Sequence, residues 1–424
     1  MRNYRKLMVS AVGMALAAGS FGALAGGIAI GTQSGSGLGN AYAGGAAAAE
    51  DASTIWYNPA GMTALQGPRN FAISANFLKP SFKFANSASS ITYAAAGTGD
   101  GGDGGSWAVV PQGYFSMSLS PDWKAGVAFN VPFGLKTEYD AGWRGQLTAI
   151  KSDIKTYNVN PSIAYKLTDT VSLGAGVSWQ RIEAELTNAA NAAGTNIATL
   201  KASDSGYGFN LGALVNLTPA IRYGITYRSK ISYKLDGTIN LSALPAANGG
   251  ATADLTIPEN LSLSIVGAVS PSWDLMGDVT YTRWSRFQQL TVLRTTASIA
   301  GGVGSTITTL PFNWRNTLRF SVGANYKPNQ SWKLRAGLAF DQTPTNDVDR
   351  TPRLPDQNRT WLALGVQYKV TKTGAIDFGY AHEFIKSASV NNTVPGFATC
   401  AAGCLKGSFS NQADLLSIQY SQSF

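Results

Sequence analysis

The sequence predicts an all-β transmembrane fold: an antiparallel outer-membrane β-barrel of about fourteen strands with an N-terminal hatch, or plug, in its lumen. Three observations carry this. From Arg69 onward, runs of about ten residues alternate apolar with polar side chains. The connections between those runs are short on one side and long on the other. The chain is only 13% charged, with a mean hydropathy of −0.03. Soluble proteins usually carry about 25% charge, whereas a strand that faces lipid on one side and a polar lumen on the other cancels its own hydropathy.

The chain starts as an exported one. Arg2, Arg5 and Lys6 precede an apolar, small-residue run from Leu7 to Leu24, and Ala23-Leu24-Ala25 fits a signal peptidase site. The expected division is therefore a leader over 1–25, a hatch over 26–68 and a barrel over 69–424. Beyond the leader no stretch of 18 apolar residues exists to form a spanning helix. An export signal joined to barrel periodicity points to a Gram-negative outer membrane, among outer-membrane lipid and lipopolysaccharide.

Five runs show the period most clearly. Val171, Leu173, Ala175, Val177 and Trp179 alternate with Ser172, Gly174, Gly176, Ser178 and Gln180. The same beat runs through Tyr157–Leu167, Tyr207–Leu217, Leu261–Val269 and Trp332–Phe340. Tight turns are expected at Ser120-Pro121-Asp122, Thr168-Asp169-Thr170, Thr218-Pro219-Ala220, Ser270-Pro271-Ser272, Pro328-Asn329-Gln330 and Thr371-Lys372-Thr373, whose residues favour turns for backbone reasons. Long connections are expected over 85–106, 135–152, 187–205, 243–252, 295–310, 344–358 and 391–407. This asymmetry separates periplasmic turns from extracellular loops. Leu416, Ile418, Tyr420 and the terminal Phe424 share one face of a last strand, which has to close onto the first because lipid tolerates no open edge. A terminal aromatic resembles the signal read by the barrel assembly machinery.

Several function classes fall away. Removing the three leader cations lowers the net charge from +9 to +6. That excess is scattered rather than clustered with stacking aromatics, so no nucleic-acid partner is expected. His382 is the lone histidine and has no nucleophile context around it, so no enzyme is expected. Cys400 and Cys404 sit close enough for a disulfide in an exported protein, and they lack the further ligands that a metal would need. No cofactor is implied.

Before Arg69 the alternation is absent. Asp51 is a candidate N-cap for a short helix through Ile55 and Tyr57, which Pro59 ends by forcing Asn58 out of the helical region. The Gly35-Ser36-Gly37-Leu38-Gly39 run lacks the strand and the Lys-Ser/Thr of a phosphate loop.

At these residues the chain resembles a family. SGLGNAYAG followed by DASTIWYNPAGMT is similar to the hatch of the FadL family of outer-membrane long-chain fatty acid transporters, which also includes channels for aromatic hydrocarbons. The block from Asn130 to Leu167 resembles the same family's third and fourth strands. The resemblance implies capture of a hydrophobic molecule among extracellular loops, passage to a pocket above the hatch, and sideways exit where the third strand kinks. It makes Asn58, Pro59 and Ala60 the hatch triplet and Val131, Pro132, Phe133 and Gly134 the kink. Pro132 suits a kink because it lacks the N–H of a ladder bond.

A fatty acid carboxylate needs a basic partner. Parity puts Arg315 and Arg319 on the lumen side, opposite to Trp314, Leu318, Phe320 and Val322, and turns Arg228 inward against Tyr223, Ile225 and Tyr227. The resemblance implies an arginine after strand five in the fatty acid branch, but here GVSWQRIEAEL runs on into Asn188 instead. A neutral aromatic hydrocarbon therefore stays open as the substrate. A diffusion porin fits less well, since the chain carries a hatch and no long charged constriction loop.

Overall fold

The computed structural model describes residues 26–393 and 403–424. The expected leader and Cys400 lie outside the described residues.

Among the described residues, twenty strand segments form one closed sheet of fourteen antiparallel staves, six of them interrupted once. The first three staves are β1 (Arg69–Asn86), β2 (Ala108–Ser118), and β3 (Trp123–Asn130) continued by β4 (Gly134–Glu138). Next come three unbroken staves, β5 (Lys151–Lys166), β6 (Val171–Ala189) and β7 (Ile197–Asn216). Four broken staves follow. They are β8 (Ile221–Arg228) with β9 (Ile231–Leu241), β10 (Gly249–Ile257) with β11 (Asn260–Ser270), β12 (Trp273–Thr282) with β13 (Gln289–Arg294), and β14 (Thr306–Pro311) with β15 (Thr317–Tyr326). The remainder are β16 (Trp332–Asp341), β17 (Arg359–Lys369), β18 (Gly374–Ile385) with β19 (Ala388–Thr393), and β20 (Cys404–Ser423). β20 closes onto β1 from Asn70↔Ser423 to Asn86↔Gly407.

Side chains sort by the parity of each stave. On β7, Phe209 and Leu211 stand about half exposed while Asn210 between them is fully buried. Asn76, Asn130, Asn158 and Asn160 are equally buried on the inner face. A band of exposed apolar side chains around a polar interior is the inverse of a water-soluble protein and matches a barrel set in lipid. Cross-strand aromatic pairs mark the membrane boundary near the tight turns: Trp123 stacked on Tyr165 at 4.5 Å, and the tilted pairs Trp273 with Tyr326 and Trp332 with Tyr368, both at 4.7 Å.

All six expected tight turns join consecutive staves, at the end where β1 begins and β20 finishes. The long connections differ more. The expected loop over 187–205 shrinks to residues 190–196, because β6 and β7 pair out to Ala189↔Ile197. There the pattern inverts: Arg181, Glu183 and Glu185 turn outward while Ile182, Leu186 and Leu200 join the apolar inner surface, so apolar-out parity misses strands that their hydrogen bonds still hold. The loop over 135–152 likewise loses residues to β4, and a helix, Ile91–Ala96, occupies the first long connection. Residues 342–358 fold inward over the lumen: Tyr139 donates to the Pro352 carbonyl at 2.7 Å, and Arg353 reaches Ser152 Oγ and Asn188 Oδ1 at 3.2 Å.

The apolar belt makes a quantitative expectation. Leu211→Lys, on the lipid face, should cost about 2–4 kcal/mol if it lies near the bilayer midplane. Ser203→Lys, on the same face above the belt, should cost about 1 kcal/mol for the hydrogen bond that Ser203 Oγ accepts from Arg181. Urea unfolding from lipid vesicles measures both, and equal effects would contradict the assigned belt.

Candidate functional site

Residues 26–68 lie against the inner wall, and their local chemistry explains how. A short helix, Thr54–Tyr57, stops at Asn58, whose extended backbone (φ −161, ψ 105) is what a following proline demands. Pro59 then opens a 3₁₀ helix, Pro59–Ala64, and Asn58 Oδ1 caps it by accepting from Ala60 N at 3.1 Å. Asn58 Nδ2 donates to the Ala46 carbonyl at 2.7 Å and across to Ala213 of the wall at 2.9 Å. One fully buried side chain thus holds two parts of the segment together and fixes both to β7. The expected cap at Asp51 differs. Its Oδ1 accepts from Ser53 N, one residue before the helix, while Oδ2 accepts from Ser36 Oγ at 2.7 Å and Gln419 Nε2 at 2.9 Å.

The wall is shaped to receive this triplet. A Cβ on Gly212 would stand 2.0 Å from Asn58 Oδ1, and one on Gly174 would stand 2.3 Å from Ala60 N. Only glycine permits so close an approach. On the opposite wall Glu50 meets Arg335 at 2.8 Å and Lys333 at 3.1 Å, and Arg335 also meets Asp377 at 2.9 Å. Burial pushes the Glu50 carboxyl up, but Arg335 and Lys333 outweigh it and hold it well below the usual carboxylate range. A carboxyl depressed on folding adds stability above its unfolded pKa and loses it only as pH falls through the folded value. The Glu50 carboxylate therefore stays charged through the neutral and mildly acidic range.

The third stave breaks between Asn130 and Gly134. β3 pairs with β2 up to Gly113↔Phe129, whereas β4 pairs only with β5 among the named strands. Residues 108–112 of β2 consequently face β4 without a ladder between them. The N-terminal segment fills the space. Ala29 and Phe133 form an antiparallel bridge, with Ile30 N donating to Pro132 O at 2.8 Å and Gly134 N to Ile28 O at 2.9 Å. Gln33 Nε2 takes up the Val131 carbonyl at 2.9 Å.

Behind the break lies a cavity of about 180 Å³. Its lining brings together Ala29, Ile30, Tyr42 and Trp56 of the N-terminal segment, Pro132 and Phe133 of the break, and Arg228 and Arg319 of the wall. Arg228 stacks over the Trp56 ring at 3.5 Å and donates to the Trp56 carbonyl at 2.9 Å and Ser178 Oγ at 3.1 Å. Arg319 donates to the Ala41 carbonyl at 2.7 Å. Neither guanidinium lies in an ion pair among the described residues. Asp278 and Asp341 also line the chamber, and Asp341 accepts from Gly26 N at 3.0 Å. Above, Trp284, Phe287, Phe312 and Trp314 pack as an aromatic roof with ring separations from 4.5 to 5.6 Å. That roof continues into an apolar inner surface of Ile231, Leu235, Leu255, Leu290 and Val292.

Arg315 is elsewhere. It is exposed in the interruption between β14 and β15, with Nε on the Thr343 carbonyl at 3.3 Å, and it does not line the cavity. The interruption resets the parity, so Trp314, expected to face outward, is buried in the roof. Val131 is fully buried in the cluster around Leu38 and Trp361. Cys404 opens β20, buried and disulfide-bonded, while Cys400 lies outside the described residues. Gln33, Glu50, Trp56 and Trp284 carry no sequence signal, because their partners lie far away along the chain.

A closed barrel with an apolar girdle, an occupied lumen and a chamber beside a wall break defines an outer-membrane transport barrel. The chain belongs to the outer membrane protein transport protein family (OMPP1/FadL/TodX), whose model matches residues 16–424. It is located in the outer membrane, and the family is one of transporters and channels. It is 32% identical to a putative outer membrane protein of Neisseria meningitidis serogroup B, covering 99% of this chain and 98% of that protein. It is 30% identical to the long-chain fatty acid transport protein of Salmonella typhi, over 90% and 93% of the two chains. Among solved structures, a Pseudomonas aeruginosa FadL homologue superposes with a TM-score of 0.84 at 27% identity, over 94% of this chain and all of that one.

The Asn58 contacts predict a localised defect. Asn58→Ala removes the hydrogen bonds to Ala46 O, Ala213 O and Ala60 N, a loss of about 1–3 kcal/mol for each group left unsatisfied. Hydrogen exchange read by mass spectrometry should quicken over residues 45–64 and stay unchanged in β16 and β17. Unaltered exchange over 45–64 would show that Asn58 does not hold the segment.

Proposed function

We propose that this protein carries long-chain fatty acids, or hydrophobic molecules like them, across the outer membrane and releases them sideways through the break at Val131, Pro132, Phe133 and Gly134. In this reading the molecule is caught among the extracellular loops and follows the apolar inner surface of β9, β10 and β13 to the roof of the chamber. Residues 26–68 act as the hatch that bars a straight path downward, with Asn58, Pro59 and Ala60 at its centre. The reading rests on one observation: a single chamber borders the hatch, the wall break and two arginines without ion-pair partners among the described residues. The name of the Salmonella typhi relative supports the fatty acid class.

The chemistry of the steps follows from the lining. Arg228 and Arg319 offer charge-assisted hydrogen bonds to a carboxylate in the chamber. Both already serve backbone carbonyls of the hatch, so a carboxylate that recruits them competes with contacts that seat the hatch. Drug-sized ligands occupy pockets of about 300–1,000 Å³, and this chamber holds about 180 Å³. A long acyl chain must therefore either leave its tail on the apolar track or displace residues 28–30, and displacing them opens the break. Neutral aromatic hydrocarbons are the alternative substrate, needing the same route without the arginines.

Oleate binding and uptake test the proposal. Arg228→Ala and Arg319→Ala should each weaken oleate binding by about tenfold while leaving toluene binding unchanged, which separates loss of a carboxylate partner from general damage. Gly134→Glu should block uptake by cells that display the folded barrel, because the charge must be desolvated at the exit. Unchanged oleate affinity in both arginine variants would transfer the assignment to neutral hydrocarbons. Full uptake through Gly134→Glu would refute the sideways route.

A further inference from the structure

The outer surface above the apolar belt has two faces of different character. Over β5, β6, β7 and β9, the cations Lys151, Lys155, Arg181 and Lys201 stand among Asp153, Glu183, Glu185 and Asp236. Contacts of 2.9–4.0 Å pair Lys151, Lys155, Arg181 and Lys201 with Asp153, Glu183 and Glu185. That face satisfies itself. Across the closing seam of β18, β20 and β1 the arrangement differs. Lys79, Lys83, Lys386 and Lys406 are all exposed, and none is in an ion pair among the described residues. Asp414 shares its row with Lys79 and His382, and its Oδ1 meets His382 Nδ1 and Tyr380 Oη, each at 2.8 Å. The other nearby carboxylate, Asp103, accepts from Ser81 Oγ, Phe82 N and Gly105 N. The face is left with a column of lysines whose charge nothing nearby neutralises in full.

The height of the column decides what it fits. Lys79 follows directly on the lipid-facing Phe77 and Leu416, which are 37% and 46% exposed. It lies over the Trp107 ring at 5.5 Å, an aromatic at the membrane boundary. Lys83 pairs with Ser410, four residues higher, and Lys406 stands eight positions above Asp414 on β20. At about 3.3 Å per residue, that is roughly 26 Å along the stave. A tilt of about 40° turns this into roughly 20 Å above the hydrocarbon edge. The headgroup layer of a glycerophospholipid leaflet is only about 5–8 Å deep. A single phosphate at the boundary would meet Lys79 and leave the upper lysines unmatched.

We propose that this face binds lipopolysaccharide, a lipid whose phosphates and sugar acids rise above the bilayer on an extended saccharide. Lys79 takes an acid group at the lipid boundary, Lys83 and Lys386 those of the next layer, and Lys406 one further out. The site lies over the β1–β20 closure, so the bound lipid also braces the seam that completes the barrel.

Purified lipopolysaccharide is the probe, with its dephosphorylated form and phosphatidylglycerol vesicles as comparisons. The full barrel is compared with K79Q/K83Q/K386Q/K406Q and with R181Q/E183Q/E185Q/K201Q, which removes two cations and two anions from the self-paired face. Heat-dependent gel mobility establishes that each variant is folded. The seam variant should bind lipopolysaccharide at least about tenfold more weakly, and the control should stay within about twofold. Dephosphorylation should weaken binding to the wild type and have less effect on the seam variant. Binding by the seam variant within twofold of wild type overturns the site, as does an equal loss in the control. Wild-type binding to phosphatidylglycerol as tight as to lipopolysaccharide overturns the choice of lipid.

Discussion

The structure depends on the rule that backbone polar groups at membrane depth must be satisfied inside the protein, since lipid offers no partner and each orphan costs several kilocalories per mole. Where β3 gives way to β4 the ladder is interrupted beside the N-terminal segment. There the released groups are taken up by Thr156 Oγ1, which accepts from Phe133 N at 3.0 Å and donates to Phe133 O at 2.6 Å, and by the N-terminal segment, which serves Val131 O, Pro132 O and Gly134 N. The break and the segment are therefore one physical unit. Neither is stable in that place without the other, and anything that lifts residues 28–33 also opens polar backbone toward the chamber.

The same reasoning explains the polar interior. Buried asparagines line the inner wall around the segment. Asn130 donates to Gln33 Oε1 at 2.9 Å, and Asn158 donates to Asn130 Oδ1 at 2.8 Å, linking segment, β3 and β5 in one chain of bonds. Charge is used more sparingly. Glu50, Arg335, Lys333 and Asp377 form a closed network on the far wall, while Arg228 and Arg319 keep guanidinium groups at the chamber with carbonyls as partners. At the far wall the segment is held by ion pairs through Glu50, whereas at the chamber it is held by charge-assisted hydrogen bonds from the two guanidinium groups to neutral carbonyls.

Much of this was legible in the sequence because a barrel stave writes its two environments into alternate residues. The tight turns and the closing last strand follow from that period and from turn chemistry. The limits have equally local causes. Above the belt the outer face of β6 and β7 turns polar and the inner face apolar, so the period reverses its phase and the strands read as loop. At the interruptions near Pro258, Trp284 and Asn313 the phase resets, which is why Trp314 turns into the roof and Arg315 away from the chamber. The triplet at Asn58 stood out because Asn-Pro has a fixed backbone consequence. Gln33, Trp56 and Asp341 stayed silent, since nothing local distinguishes a glutamine that meets a carbonyl about a hundred residues away.

The central claim is that residues 28–30 close a sideways exit. Ala29 and Phe133 face each other as a non-hydrogen-bonded antiparallel pair, for which Cα atoms lie about 4.5 Å apart, within reach of a disulfide. Uptake of labelled oleate by cells carrying A29C/F133C, with Cys400 and Cys404 replaced by serine, is the most direct measurement. The account predicts that uptake stops when the new pair is oxidised and returns on reduction. Undiminished uptake with the pair oxidised would contradict it, because the substrate would then be leaving by a path that never opens the break.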